Sequence, residues 1–446
     1  MENNKFFLKS MGCKSNQFEG SLIIENLIKN GFVQEFDVKQ SDFYILNSCS
    51  VTHKSDNETL YLLRNIKHQY PFIRTVLTGC VAQLEKENLL KLGYIDYIFG
   101  NDDKFKMGEL LLSNINSQVS DIMSLDEFNY QVLNDTTKTR LSLKIQDGCN
   151  NRCAYCIIPF ARGKSRSANI EFITEQINNA DKKGFKEVVL TGIHIGQWGL
   201  DINSDFVTLI KNIEKTNIKR YRLGSLNPLE ITSELLDVLQ NSEKFCPHFH
   251  LSLQSACNKT LKNMNRFYSV EYYLDQIEDI TKRFDKPFLG SDIIAGFVGE
   301  SDADFNTTIE NLKKSKLTKI HTFPYSIRKG TQAEKMKGHL PDKIKQQRAD
   351  IIKSISKEKF DLFLNSNLNS IQEVLIEKRP DKHTGFLKGV TKNYINVIIN
   401  KEILNKETFC NTIQNVVLLQ INNEKMFGSV LPSIDKGRTE DGLSIL

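Results

Sequence analysis

Short apolar runs alternate with segments of helical period along most of the chain. Near the start, residues 6–10 read as a strand, and Leu22, Ile23, Leu27 and Ile28 then recur at helical spacing. That predicts a helix over 21–30, stopped at Asn30-Gly31. Strands follow at 42–47 and 74–78. Residues 101–137 are polar and poorly periodic and read as a linker with some helix. From 139 the alternation restarts, with strands at 141–146, 187–193, 220–226, 249–253, 289–297 and 319–326, and helices at 171–183, 232–240 and 269–284. Six strand–helix units suggest an incomplete barrel rather than a full eight-unit one. A charged connecting helix is expected over 342–365. Beyond it the pattern turns to period two at 373–377, 393–398 and 416–420, punctuated by Gly385 and Gly389, as in a small antiparallel β-barrel. The tail from Pro432 is polar and reads as loose. The fold class is therefore α/β with a small β-barrel appended. Three domains are expected, at 1–115, 138–366 and 367–431.

Composition narrows the class. Hydrophobic content of 40% and charged content of 25% are those of an ordinary soluble globular protein. No apolar run is long enough to span a bilayer, and Met1-Glu2-Asn3-Asn4-Lys5 lacks a basic segment leading into an apolar one, so neither a membrane span nor a signal peptide is expected. The formal charge of +5 permits an anionic partner without establishing one. Nine cysteines are too few for a disulfide scaffold in 446 residues, and their clustered spacing fits a reducing cytoplasm.

The cysteines carry the chemistry. Cys149, Cys153 and Cys156 are spaced C-x3-C-x2-C in a loop that follows the strand at 141–146. Three thiolates from one loop serve three irons of a 4Fe–4S cluster and leave the fourth iron open. A zinc site or three buried thiols are the alternatives, although zinc usually takes four protein ligands, or three and a water, and often includes His. Cys13, Cys49 and Cys80 each stand just past the end of a predicted strand. In a parallel sheet those ends share one edge, so the three can converge into a second three-thiolate site. The alternative is that cysteine is simply a small apolar residue favoured in cores. Cys246, Cys257 and Cys410 lack such spacing and read as ordinary buried thiols. Small or polar residues mark the barrel strand ends at Thr191-Gly192, Ser225, Gln254-Ser255 and 296–299, where a ligand can approach the backbone closely.

Several longer phrases carry a resemblance. They are Gly12-Cys13-Lys14-Ser15-Asn16, Asn47-Ser48-Cys49-Ser50-Val51-Thr52, Gly79-Cys80-Val81-Ala82-Gln83, and the run from Cys156 through Pro159 to Gly163. To these are added His250-Leu251-Ser252-Leu253-Gln254-Ser255 and Phe323-Pro324-Tyr325-Ser326 followed by Gly330-Thr331. Together, from about Lys5 to about Leu431, the chain resembles the radical S-adenosylmethionine (SAM) methylthiotransferase family. Gly-Cys-Lys at the first cysteine and the basic run from Arg162 to Ser167 look most like the branch that modifies N6-threonylcarbamoyladenosine in tRNA. Val298 stands where the family usually has proline, and Ala256-Cys257 replaces a more usual Gly-Ser or Gly-Cys pair.

The resemblance implies two 4Fe–4S clusters, SAM as a cofactor and a C-terminal TRAM barrel that grips RNA. The target C–H bond at carbon 2 of adenine is unactivated, so a radical is required. By resemblance, the Cys149/Cys153/Cys156 cluster cleaves SAM, and the Cys13/Cys49/Cys80 cluster carries the sulfur that is methylated and transferred. Tyr155, Thr191, Gly192, Ser225, Gln254, Asp292 and Ile294 are candidate SAM contacts. Arg152, Arg162, Lys164 and Arg166 place four cations near the loop, for an RNA phosphate or a substrate carboxylate. The expected partners are a tRNA anticodon stem-loop with the target base splayed from its stack, an electron donor such as flavodoxin or ferredoxin, and a sulfur donor. Other readings are a methylthiotransferase for isopentenyladenosine tRNA or for a ribosomal-protein aspartate, and a non-catalytic iron–sulfur RNA-binding protein.

Overall fold

In the N-terminal region the apolar runs pair as a six-stranded parallel sheet. In this computed structural model, which describes residues 4–132, 138–399 and 409–431, the chain forms two compact units, Met1–Phe360 and Asp361–Leu446. The sheet consists of β1 (Lys5–Ser10), β2 (Val33–Gln34), β3 (Phe43–Ser48), β4 (Arg74–Gly79), β5 (Tyr97–Phe99) and β6 (Ser117–Gln118), in the order β2-β1-β3-β4-β5-β6. Phe43 and Ile45 pack on one face with Phe6, Val76 and Phe99, while Tyr44 and Leu46 pack on the other with Leu63, Leu77 and Ile98. Both faces are buried, so these strands appear in the sequence as continuous apolar runs rather than as alternation.

Two expectations need correction here. The first helix spans Lys14–Lys29 rather than 21–30. Its opening turns carry Ser15, Asn16 and Glu19, which look solvent-facing in sequence yet are buried. The stretch expected from 101 as a linker with some helix does hold a helix, Met107–Leu112, but it also holds strand β6. The two-residue strand has no apolar period to reveal it, and it pairs by backbone alone at the sheet edge. Residues 133–137 and the tail expected to be loose from Pro432 lie outside the described residues.

The barrel begins with β7 (Arg140–Lys144), after which β8 (Gln146–Asp147) pairs antiparallel with β9 (Arg166–Ser167). It continues with β10 (Glu187–Thr191), β11 (Arg220–Arg222), β12 (Ser225–Leu226), β13 (His248–Leu251), β14 (Phe288–Ala295) and β15 (Lys319–Pro324). The strands form two parallel sheets, β11-β10-β7 and β12-β13-β14-β15, and the run expected at 220–226 is broken at Leu223-Gly224. Among the described residues no ladder joins β7 to β15, so the barrel is open, as six units predict. Helices Ile170–Lys182, Ser233–Gln240 and Val270–Arg283 cover it, each started by a side-chain cap from Asn169, Thr232 or Ser269.

The second unit contains a closed barrel of β16 (Ile371–Ile376), β17 (Lys388–Thr391), β18 (Asn396–Ile399), β19 (Ile413–Asn422) and β20 (Lys425–Val430). It is not wholly antiparallel, because β18 pairs parallel with β20. The turn from β19 to β20 runs through Asn423 and Glu424, both at positive φ, a twist suited to a two-residue hairpin.

Candidate functional site

Parallel pairing decides where the N-terminal cysteines go. Ser10 registers with Asn47, and Ser48 with Gly79, so β1, β3 and β4 end level with one another. Cys13 caps the first helix, Cys49 follows β3, and Cys80 opens the helix Cys80–Leu89. Gly12, at φ +81°, lies so close to Cys49 that an added Cβ would stand 2.4 Å from its Sγ. Burial pushes the Cys49 thiol up to about 11, reinforced by the charges of Cys80 and Cys13. The three thiols therefore share one neighbourhood.

The second triad occupies the loop after β8. Gly148 is required there: its φ is +73°, and an added Cβ would stand 1.8 Å from the Lys164 carbonyl oxygen. The Cys149 N–H donates to the Gly163 carbonyl at 3.1 Å, and the Ala154 N–H to the Met264 carbonyl at 2.9 Å, so backbone straps hold the loop. Cys149 Sγ lies 3.4 Å from His194 Nδ1, and Arg266 Nη1 donates to Cys153 Sγ at 3.4 Å. Burial pushes the Cys156 thiol up to about 12, with added effect from the charges of Cys153 and Cys149. For His194, burial favours the neutral ring, but Cys149 and its ion-pair partner Glu230 outweigh it and push the imidazole up to about 9.

Such thiols ionise only when a strong positive partner is present. Among the described residues no three His, Cys, Asp or Glu side chains converge to share one metal ion. A 4Fe–4S cluster offers each thiolate its own iron, and so fits thiols that are neighbours without meeting at a point.

A buried ion network links the two loops. Glu19 accepts from Lys104 at 2.5 Å, Lys144 at 2.6 Å and Arg162 at 2.5 and 3.0 Å, while Lys144 also reaches Asp147 at 2.6 Å. Arg162 and Arg166, expected near the loop as substrate-binding cations, are only 1% and 4% exposed. Arg162 pairs with Glu19, and Arg166 donates to the Lys164 and Arg162 carbonyls, so both are interior struts in this structure. Lys164 stays at the surface, paired with Asp126, and Arg152 is exposed beside the Cys149 carbonyl.

The network predicts a specific sensitivity. Burial raises the Glu19 carboxyl, but Arg162, Lys104 and Lys144 outweigh it and hold the group well below the ordinary carboxylate range. A depressed carboxylate stabilises the fold fully above its unfolded pKa of about 4.3, and that stability is lost as pH falls through the folded value. Glu19→Ala strands three cations and is expected to cost about 3–5 kcal/mol. Denaturant unfolding should show that loss at neutral pH, with a weaker acid dependence below pH ~4.3 than in wild type. An unchanged midpoint would contradict the role given to the network.

One cavity of about 170 Å³ is lined by Cys156 of the second triad and by the segment that follows Cys49 of the first. Val51 and Thr52, just after Cys49, form part of its wall, and Tyr155, Cys156, Ile157 and Ile158 form another part. Of the expected SAM contacts, Tyr155, Gln254, Asp292 and Ile294 line it. Gln254 adopts φ +69°, a strained value for a residue with a side chain, and its backbone bonds to both Asp292 and Ile294. Tyr155 also packs edge-on against Phe297. Thr191, Gly192 and Ser225 are not in this wall. Thr191 Oγ1 donates to the Leu143 carbonyl, Gly192 abuts Gln146, and Ser225 contacts His250, which in turn stands 3.4 Å from Asp292. Cys246 and Cys257 are buried, and Cys410 is half-buried, as ordinary thiols would be.

Sequence reasoning missed His194, Glu230 and Arg266, which contact the loop thiols directly or through a partner. Their roles depend on tertiary proximity, and a lone His or Arg in a strand-end loop carries no spacing signal. Arg328 did stand two residues beyond the Phe323–Ser326 phrase, and so was visible.

Comparison with known proteins now places the chain. Residues 143–312 match the Radical SAM superfamily, and residues 5–100 match the family described as Uncharacterized protein family UPF0004. Among solved structures, the radical SAM methyltransferase TsrM from Kitasatospora setae shares the fold at TM-score 0.54 and 12% identity, over 72% of this chain and 75% of that one. The chain is 34% identical over 401 residues to the threonylcarbamoyladenosine tRNA methylthiotransferase MtaB of Aquifex aeolicus, covering 88% of this chain and 96% of that protein. It is 33% identical over 442 residues to the tRNA-2-methylthio-N(6)-dimethylallyladenosine synthase of Thermodesulfovibrio yellowstonii, covering 97% and 100%. These matches define a radical SAM enzyme. Within that superfamily the chain belongs to the radical SAM methylthiotransferases, whose cofactors are two 4Fe–4S clusters and SAM. No helix among the described residues is long and apolar enough to cross a membrane.

Proposed function

We propose that this protein is a tRNA methylthiotransferase that adds a methylthio group to carbon 2 of N6-threonylcarbamoyladenosine at position 37 of the anticodon loop. The observation that carries the reading is the shared cavity, whose walls come from the segment after Cys49 and from the Cys156 loop. Cys149, Cys153 and Cys156 would hold one 4Fe–4S cluster, and Cys13, Cys49 and Cys80 the other. When bound, these clusters and SAM supply the radical chemistry and the sulfur that a C–H bond of adenine demands. The chain's own part is to hold and orient. His194 and Arg266 fix the Cys149 and Cys153 side chains, and Tyr155, Gln254, Asp292 and Ile294 wall the SAM side of the cavity. Exposed Arg152 and Lys164 remain available to RNA phosphates, and the C-terminal barrel would act as a TRAM-like RNA grip. A flavodoxin or ferredoxin would donate electrons, and a separate donor would replace the sulfur, in the cytoplasm.

The threonylcarbamoyl substrate is favoured by the name of the Aquifex relative and by Lys14, an exposed cation immediately after Cys13. The dimethylallyl-type relative is about as similar, so the test is a direct competition. Reconstituted protein is offered equal amounts of threonylcarbamoyl- and isopentenyl-modified tRNA, and the nucleosides are analysed by mass spectrometry. Preferential methylthiolation of the threonylcarbamoyl nucleoside is expected, and preference for the isopentenyl one would reassign the substrate.

A further inference from the structure

Beyond the cluster loops, the cavity wall carries two buried side chains with polar atoms that find no partner among the described residues. Arg328, 6% exposed, lies in the loop after β15 and lines the cavity. Its Nη2 donates to Ser50 Oγ at 2.6 Å and pairs with Asp56 Oδ2 at 2.6 Å. Both partners belong to the segment following Cys49, so the guanidinium is anchored to the wall built by the first triad's loop. Its Nε and Nη1, both buried, have no hydrogen-bond partner among the described residues. Tyr325, 4% exposed, lines the same cavity, and its buried hydroxyl is also unpartnered among the described residues. Burial, with the charge of Glu334, pushes the Tyr325 phenol up to about 12, so it remains a donor at neutral pH.

Buried donors are normally satisfied, and an anchored arginine cannot turn away to find solvent. The wall also carries Thr52, Gln254, Asp292 and Ser326, none of which bonds these donors. A ligand oxygen bearing negative charge would satisfy both groups through charge-assisted bonds. We propose that Arg328 and Tyr325 form an oxyanion subsite for the substrate nucleotide, taking the carboxylate of a threonylcarbamoyl group or a phosphate of the flipped residue. This rests on the tRNA reading above. Both Nη2 hydrogens are already used, so Nε and Nη1 act as single donors rather than as a two-pronged fork.

The test uses the full chain with both clusters reconstituted anaerobically, and reads equilibrium binding rather than turnover. Arg328→Gln and Tyr325→Phe are compared with wild type for SAM and for three anticodon stem-loop RNAs, bearing threonylcarbamoyladenosine, isopentenyladenosine or plain adenosine. Tyr325→Phe keeps the ring that packs on Phe297 at 5.1 Å, so it reports even if Arg328→Gln folds poorly. RNA affinity should fall about ten- to a hundredfold in Arg328→Gln and severalfold in Tyr325→Phe, while SAM affinity holds. A loss confined to the threonylcarbamoyl RNA assigns the carboxylate, and an equal loss for all three assigns a phosphate; either upholds the subsite. Wild-type RNA binding with unchanged variants overturns the subsite alone, as does a loss of SAM affinity with RNA binding intact. Wild-type protein that binds none of the RNAs overturns the tRNA reading and the subsite with it.

Discussion

Simultaneous replacement of Cys149, Cys153 and Cys156 by alanine is expected to halve the iron bound after anaerobic reconstitution, from about eight to about four per chain. It should also abolish reductive cleavage of SAM. The fold itself should survive. The loop is held by backbone bonds from Cys149 to Gly163 and from Ala154 to Met264, which do not need the thiols. Burial raises the Cys156 thiol to about 12, so the apo protein keeps that group neutral and loses little when it becomes a methyl. Iron content and 5′-deoxyadenosine release are measured together. Full iron in the triple variant would refute the ligand assignment, and half iron with normal SAM cleavage would assign the radical chemistry to the other triad.

The second large effect separates the triads. Cys49→Ala should leave reductive SAM cleavage measurable and eliminate methylthio transfer to tRNA. Cys49 is 4% exposed and stands against Gly12, so the smaller side chain leaves a modest gap without unsettling the other loop. The Cys149 loop lies in a different segment and keeps its own contacts with His194 and Arg266. Loss of both activities would mean that the two sites are not separable. Normal methylthiolated product would remove the sulfur-carrying role from Cys49.

These expectations rest on features that differ in how readable they are. The thiol triads are legible because their logic is local or periodic: one is an eight-residue phrase, and the other repeats a strand ending in cysteine. Parallel pairing then aligns the repeats, as Ser10 with Asn47 and Ser48 with Gly79 show. The burial of Arg162 and Arg166 was not legible, because charge in a sequence is silent about burial. Arg162's partner Glu19 comes from a helix more than a hundred residues earlier, whose opening turns look like solvent-facing polarity. The edge strand Ser117–Gln118 and the parallel pairing of β18 with β20 are likewise set by tertiary register, not by local pattern. Thr191 and Ser225 look like ligand contacts because they sit at strand ends. In the structure Thr191 ties to the neighbouring strand, and Ser225 reaches the cavity through His250.

The central claim is that one cavity brings the two cysteine triads to a single tRNA base. A single-turnover reaction tests it, with reconstituted protein, SAM, a reductant and threonylcarbamoyl-modified tRNA, followed by measurement of both 5′-deoxyadenosine and tRNA nucleosides. The account predicts that 2-methylthio-N6-threonylcarbamoyladenosine forms together with 5′-deoxyadenosine, and that both depend on the Cys149/Cys153/Cys156 triad. Release of 5′-deoxyadenosine with no sulfur entering the tRNA would contradict it.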